Sequence, residues 1–253
     1  MGFSDTYLVN DKLLVIPERE IALLEKHFGM PVPKGYREFM TQLGLGQYCD
    51  FVRVYPPLRI LTEYENAQQR WKEDFFWDGG AHVLPREEVI QSVLIGDTID
   101  GDQIITSPRI PGQLFVLSRH DDKICWMDEG LFEPLIWNGS GFAPQWCPFG
   151  YFQSFVDRAA ITLFNHRRDL KSDDIANKFI EHWQKSELRQ LREEGCRFLF
   201  LKSIGGRIQL TQSDWDRRIG IVISFDKDHL AEVEFFLPML HYLGFIVTEK
   251  SGC

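Results

Sequence analysis

Four short runs between Ser92 and Asp128 constrain this chain more than anything else in it. "SVLIG", "DQIIT", "GQLFVLS" and "KICWMD" are rich in β-branched and aromatic residues, and turn residues separate them. Runs of this length and composition, bounded in this way, predict strands. Their close succession predicts one antiparallel sheet. Asp100-Gly101 marks one hairpin tip, because aspartate tolerates left-handed backbone and glycine adopts it freely. His120-Asp121-Asp122 marks the other.

Helical periodicity lies ahead of this block. "IPEREIALLEKHFG" places Ile21, Leu24 and Phe28 on one face, with Pro17 suited to the first turn and Gly29 to the stop. "VPKGYREFMTQLGLG" repeats the pattern with Tyr36, Phe39, Met40 and Leu43, and Gly44 can close it. "FVRVY" reads as a strand ended by Pro56-Pro57. "TEYENAQQRWKEDFF" reads as a polar helix with Thr62 as its N-cap, and "PREEVIQ" as a short helix. After the strand block, "CPFGYFQSFVDRAAITLFNHR" fits an amphipathic helix, with Phe152, Phe155, Val156, Ala159 and Leu163 on one face.

The stretch "HRRDLKSDD" (166–174) has little to bury, and a domain boundary is expected there. Beyond it the pattern restarts. A helix of about six turns is expected over "DDIANKFIEHWQKSELRQLREEG". A hairpin then turns at Ile204-Gly205, and "RIGIVISF" is a strand. "DKDHLAEVEFFLPMLHYLG" reads as a helix kinked at Pro238, and "FIVTE" as a last strand. The reading is therefore α+β: residues 1–165 form an antiparallel sheet flanked by helices, and residues 174–253 a small α+β C-terminal unit.

A chain of 253 residues with 26% charged residues has an ordinary globular balance and can bury a core without staples. Five scattered cysteines with no CxxC make a poor disulfide framework and a poor zinc site, and imply a reducing, cytoplasmic setting. No basic start precedes an apolar run at the N-terminus, and no stretch approaches a membrane span. Gly2 to Thr6 formally fits an acylation pattern, with nothing else in its support. The net charge of −9 falls entirely on residues 1–165, which carry 23 acidic and 14 basic residues. Such a surface disfavours nucleic acid and suits a basic partner.

Motifs for catalysis fail one by one. "GLGQYC" has Cys49 where a dinucleotide loop needs its third glycine, and it follows a helix rather than a strand. GxxxxGK[ST], GxSxG and HExxH are absent. The acidic stretch "IGDTIDGDQI" fails the register of a calcium loop: from Asp97, the third and fifth positions are Ile99 and Gly101. His120 beside Asp121 resembles a base with its orienting acid, but adjacent residues at a hairpin tip rarely arrange themselves so. No catalytic residue, cofactor or metal is expected.

The order of the pieces carries a resemblance. Pro33, Tyr36, Arg37, Phe39 and Gly44 form a proline-led Tyr-Arg-x-Phe helix closed by a glycine-bearing loop. Ile95, Gly96, Gly101 and Asp102 form an Ile-Gly then Gly-Asp stretch. Together they resemble the SUKH superfamily over about residues 10–165. That family includes a yeast cell-wall-assembly regulator and many bacterial immunity proteins. Leu43-Gly44 stands where the family usually has Asn-Gly, and the segment from 174 onward is not covered. The resemblance implies a binding module that neutralises a cognate toxin by direct contact, the toxin being a basic protein domain such as a nuclease. It implies no direct nucleic-acid or membrane partner. It also places the family's variable binding surface near Asp97, Asp100 and Asp102. With Asp121 and Asp122, these are the expected partner-binding residues, each read as an exposed turn residue. Two alternatives stay open: a regulatory scaffold resembling the cell-wall-assembly branch, and a hydrolase or nucleotide-binding enzyme with an unrecognised C-terminal site.

Overall fold

A computed structural model describes residues 3–127, 130–132, 150–165, 167, 169–182, 188–193, 196–213 and 218–252. The protein is α+β, and the described residues fall into two compact units. The first lies within 1–7, 13–145 and 149–154, and the second within 8–12, 146–148 and 155–253.

The first unit is built on an eight-stranded sheet. Its strands are β1 (Tyr7–Leu8), β2 (Gly46–Tyr48), β3 (Val52–Val54), β4 (Val93–Thr98), β5 (Gln103–Thr106), β6 (Leu114–Leu117), β7 (Ile124–Met127) and β8 (Tyr151–Ser154). They lie in the order β1-β8-β2-β3-β4-β5-β6-β7. The four expected strands are β4 to β7, and they pair antiparallel in sequence.

The helices form where the sequence places them. α1 (Glu18–Phe28) buries Ile21 and Leu24 and stops at Gly29, whose φ is +64°. α2 (Tyr36–Gln42) buries Tyr36, Phe39 and Met40. The Tyr36 hydroxyl donates to Tyr55 O at 2.8 Å, while Arg37 pairs with Glu18 and Glu25 of α1. The Tyr-Arg-x-Phe run thus sends two rings inward and one guanidinium to the neighbouring helix. Gly44 has φ +77°, and a Cβ there would lie 2.0 Å from Leu14 O, so only glycine fits this close approach. α3 (Pro57–Glu73) begins earlier than expected. Pro57 occupies its first turn, and Thr62 sits inside it, bonding back to Leu58 O and Arg59 O instead of capping. α4 (Arg86–Gln91) follows Pro85.

In the second unit the sheet runs β10-β11-β12-β13-β9-β14. Its strands are β9 (Arg158–Asn165), β10 (Leu188–Glu193), β11 (Cys196–Leu201), β12 (Gly206–Gln212), β13 (Ile219–Asp226) and β14 (Phe245–Ser251). α5 (Ser172–His182), α6 (Leu230–Glu234) and α7 (Leu237–Tyr242) complete it. Ile161, Leu163, Phe179, Leu199, Ile221 and Leu240 belong to one buried core.

Three expectations fail here. The helix expected across "CPFGYFQSFVDRAAITLFNHR" is replaced, within the described residues, by β8 and β9. Ala159, Ile161 and Leu163 alternate into the core, and β9 pairs with both β13 and β14. Of the expected six-turn helix, α5 covers Ser172–His182, and its expected second half contains β10, paired with β11. Pro238 does not kink one helix. It starts a separate one, α7, after α6 has ended. The expected boundary at 166–174 consequently lies within the second unit, between β9 and α5. Cys147 and the Asn-Gly-Ser at 138–140 lie outside the described residues.

Candidate functional site

One end of the first sheet gathers three hairpin turns: 49–51 between β2 and β3, 99–102 between β4 and β5, and 118–123 between β6 and β7. Strand register sets them side by side. Val52 lies opposite Thr98, and Gln103 opposite Leu117. Two bonds link the turns. Ile99 N–H donates to Phe51 O at 2.9 Å, and Arg119 N–H donates to Asp102 Oδ1 at 2.9 Å. All five expected aspartates come to this end, but in three different states.

Asp102 is the first state, and it corrects the expectation of exposure: it is only 5% exposed. Its Oδ2 accepts from the Thr98 hydroxyl at 2.9 Å, and its own N–H donates to that hydroxyl's oxygen at 3.1 Å. With the Arg119 bond, this carboxylate holds two turns together. Gly101 beside it has φ +91°, the left-handed geometry that the Asp-Gly pair implies.

Asp97 and Asp121 share the second state, held in ion pairs. Asp97 is a strand residue of β4 rather than a turn residue. Arg53 grips it with two bonds, Nε to Oδ1 at 2.7 Å and Nη2 to Oδ2 at 2.6 Å, and its side chain is 18% exposed. Burial, and then the Asp97 carboxylate, push the Tyr55 phenol upward. The Arg59 guanidinium lies 3.4 Å from the Tyr55 ring centroid and extends this polar chain onto α3. Asp121 accepts from Lys123 Nζ at 2.5 Å, and that bond holds its carboxyl below the usual carboxylate range. Lys123 therefore takes the carboxylate that a catalytic reading would assign to His120.

Asp100 and Asp122 are the third state: exposed, and in no ion pair among the described residues. Ile99, in the 99–102 turn, is 55% exposed. Sequence reasoning passed over it. Its signal is an apolar residue inside an Asp-flanked turn, where nothing local could bury it. Also passed over was the 49–51 turn, where Cys49 and Asp50 have φ values of 49° and 54° without any glycine. Left-handed geometry costs such residues roughly 1–2 kcal/mol each. Phe51 N–H closes the turn onto Tyr48 O at 3.0 Å.

This end carries six carboxylates (Asp50, Asp97, Asp100, Asp102, Asp121, Asp122) against Arg53, Arg119 and Lys123. Among the described residues no group of three or more His, Cys, Asp or Glu side chains is placed to hold a metal. No helix among them is long and apolar enough to cross a membrane. Comparison with protein-family models finds no match, and neither the curated proteins nor the solved structures yield one.

Proposed function

We propose that this protein is a non-enzymatic binding module of SUKH type, acting in the cytoplasm as an immunity protein. Its first unit would take a basic toxin domain, such as a nuclease, by direct contact. One observation carries the reading: three adjoining turns carry the exposed Asp100, Asp122 and Ile99, on the part of the chain that holds the whole charge excess. Exposed carboxylates of one sign steer a basic partner and set the salt dependence of its association. An exposed apolar side chain among them supplies a contact that can be desolvated.

The state of each aspartate decides how to test this. Asp97 and Asp102 are engaged by Arg53, Thr98 and Arg119, so changing them would disturb the turns themselves. Asp100 and Asp122 are the appropriate pair. The protein is co-expressed with the product of the neighbouring open reading frame, and binding kinetics are recorded at two salt concentrations. An Asp100→Asn/Asp122→Asn variant is expected to associate more slowly and with a flatter salt dependence. Ile99→Ser is expected to speed dissociation. A folded triple variant with unchanged rates and unchanged salt slope would remove this end of the sheet from the interface.

A further inference from the structure

Arg119 is the cation that the ion pairs of the first sheet's acidic end leave over. Arg53 pairs with Asp97, and Lys123 with Asp121. Arg119 is exposed, and its side chain makes no hydrogen bond or ion pair among the described residues. It is nevertheless held in place. Its backbone N–H donates to Oδ1 of the buried Asp102 at 2.9 Å. Its side chain lies across Gly101, where a Cβ would sit 2.6 Å from Arg119 Cδ and 2.7 Å from Nη1. Glycine at 101 thus meets two separate demands, the φ of +91° and the close passage of this arginine. The 99–102 turn fixes the arginine of the 118–123 turn twice: its backbone through a carboxylate, and its side chain through a missing Cβ.

A guanidinium is always charged, carries donors only, and presents them in a planar fork that matches a carboxylate. A side chain already held loses less rotamer freedom when a partner arrives. Arginine is also enriched among the few interface residues that dominate binding energy. Resting on the reading of this end as the partner-binding face, we propose that Arg119 is the specificity-determining residue of that face. It clamps one carboxylate of the otherwise basic partner with two bonds, while Asp100 and Asp122 meet the partner's cations. A basic surface without that acid sets a cation against Arg119 and is rejected. General acidity thus attracts basic domains, and Arg119 selects among them.

The test is binding kinetics of the full chain against the product of the neighbouring open reading frame. A bystander cation and an anchor predict opposite signs. A bystander only weakens the acidic field, so Arg119→Gln would associate faster, dissociate at the same rate and bind more tightly. The anchor predicts faster association but dissociation accelerated by roughly a hundredfold, and therefore weaker binding. Arg119→Lys keeps the charge and loses the fork, so its association rate should stay and its dissociation should rise by roughly tenfold. Both variants should melt with the wild type, since the side chain bonds to nothing else in the fold. A charge swap then finds the clamped acid: among partner variants with single exposed Asp or Glu residues changed to Lys, one is expected to bind Arg119→Glu more tightly than it binds the wild type. The proposal is overturned if Arg119→Gln binds as tightly as the wild type or more tightly, or if no partner variant prefers Arg119→Glu. Failure of the underlying reading looks different: the wild type does not bind, or Asp100→Asn/Asp122→Asn leaves the association rate and salt slope unchanged, and either result removes this proposal as well.

Discussion

Asp102 in the first unit and Asp226 in the second are buried almost equally, at 5% and 4% exposure, yet they are kept in different ways. Asp102 is held by neutral donors, a threonine hydroxyl and a backbone N–H. Asp226 is held by a guanidinium, Arg158, that is itself buried beside it. Burial lowers the Arg158 pKa, and the Asp226 bond opposes that shift. Nearby on the same sheet Arg207 is pushed down to about 10 by burial. The first unit hides a carboxylate inside turn geometry, whereas the second hides it inside an ion pair. A turn survives the loss of one bond. A buried ion pair that loses one member leaves the other charge uncompensated.

The largest expected effect follows from removing Arg158 together with its strand. A fragment of residues 174–253 lacks β9, which pairs at eight positions with β13. No cooperative thermal transition is expected of it, and a sharp melt with strand-type circular dichroism would break the account of this unit. Next comes Arg158→Met in the full chain, expected to cost about 3–5 kcal/mol in urea unfolding because Asp226 stays buried without its cation. Arg158→Met/Asp226→Leu should recover most of that loss. If the double variant is no better than the single, the ion pair is not the reason.

Asp102→Ala is expected to cost less, about 1–3 kcal/mol, and Asp102→Asn less still, since the amide keeps one acceptor. A cost equal to that of Arg158→Met would erase the distinction between the two sites. The first unit also buries a neutral acid, the Tyr36 phenol, whose pKa burial raises above its ordinary value of 10.0. The unfolded chain then loses this proton first. The contribution is fully present below pH 10 and is lost above it, by up to about 1.4 kcal/mol per pH unit. Tyr36→Phe should flatten the alkaline fall in melting temperature; an unchanged slope would exclude Tyr36 as its cause. The smallest effect is expected at Asp100→Asn, within about 0.5 kcal/mol by the same urea measurement. A larger loss would show that Asp100 belongs with Asp102 rather than with the exposed rim.

Local residues account for what could be read in advance. Ile21, Leu24, Pro17 and Gly29 define α1 without help from elsewhere. β4 and β5 come from β-branched runs around an Asp-Gly turn. β9 could not be read this way. Phe152, Phe155, Val156, Ala159 and Leu163 satisfy a helical period, while Ala159, Ile161 and Leu163 satisfy a strand period. Only pairing with β13 and β14 chooses between them, and it leaves Phe155 53% exposed. The candidate site divides similarly. The acidic turn was visible, but the burial of Asp102 was not, because its donors Thr98 and Arg119 come from different hairpins. The Cys49-Asp50 turn offers no glycine to betray it.

The inner position of β9 has a consequence for how the second unit is made. β9 is the earliest of its strands in the chain, and its two neighbours, β13 and β14, are the latest. As synthesis proceeds, β10, β11 and β12 can zip into a meander while β9 waits with both edges open and Ala159, Ile161 and Leu163 uncovered. Late, distant closure of this kind slows folding and lengthens the time during which an apolar strand can pair with the wrong chain. Its arginine and asparagine ends, Arg158 and Asn165, flank that run with polar groups, the kind of placement that discourages such pairing until β13 and β14 arrive.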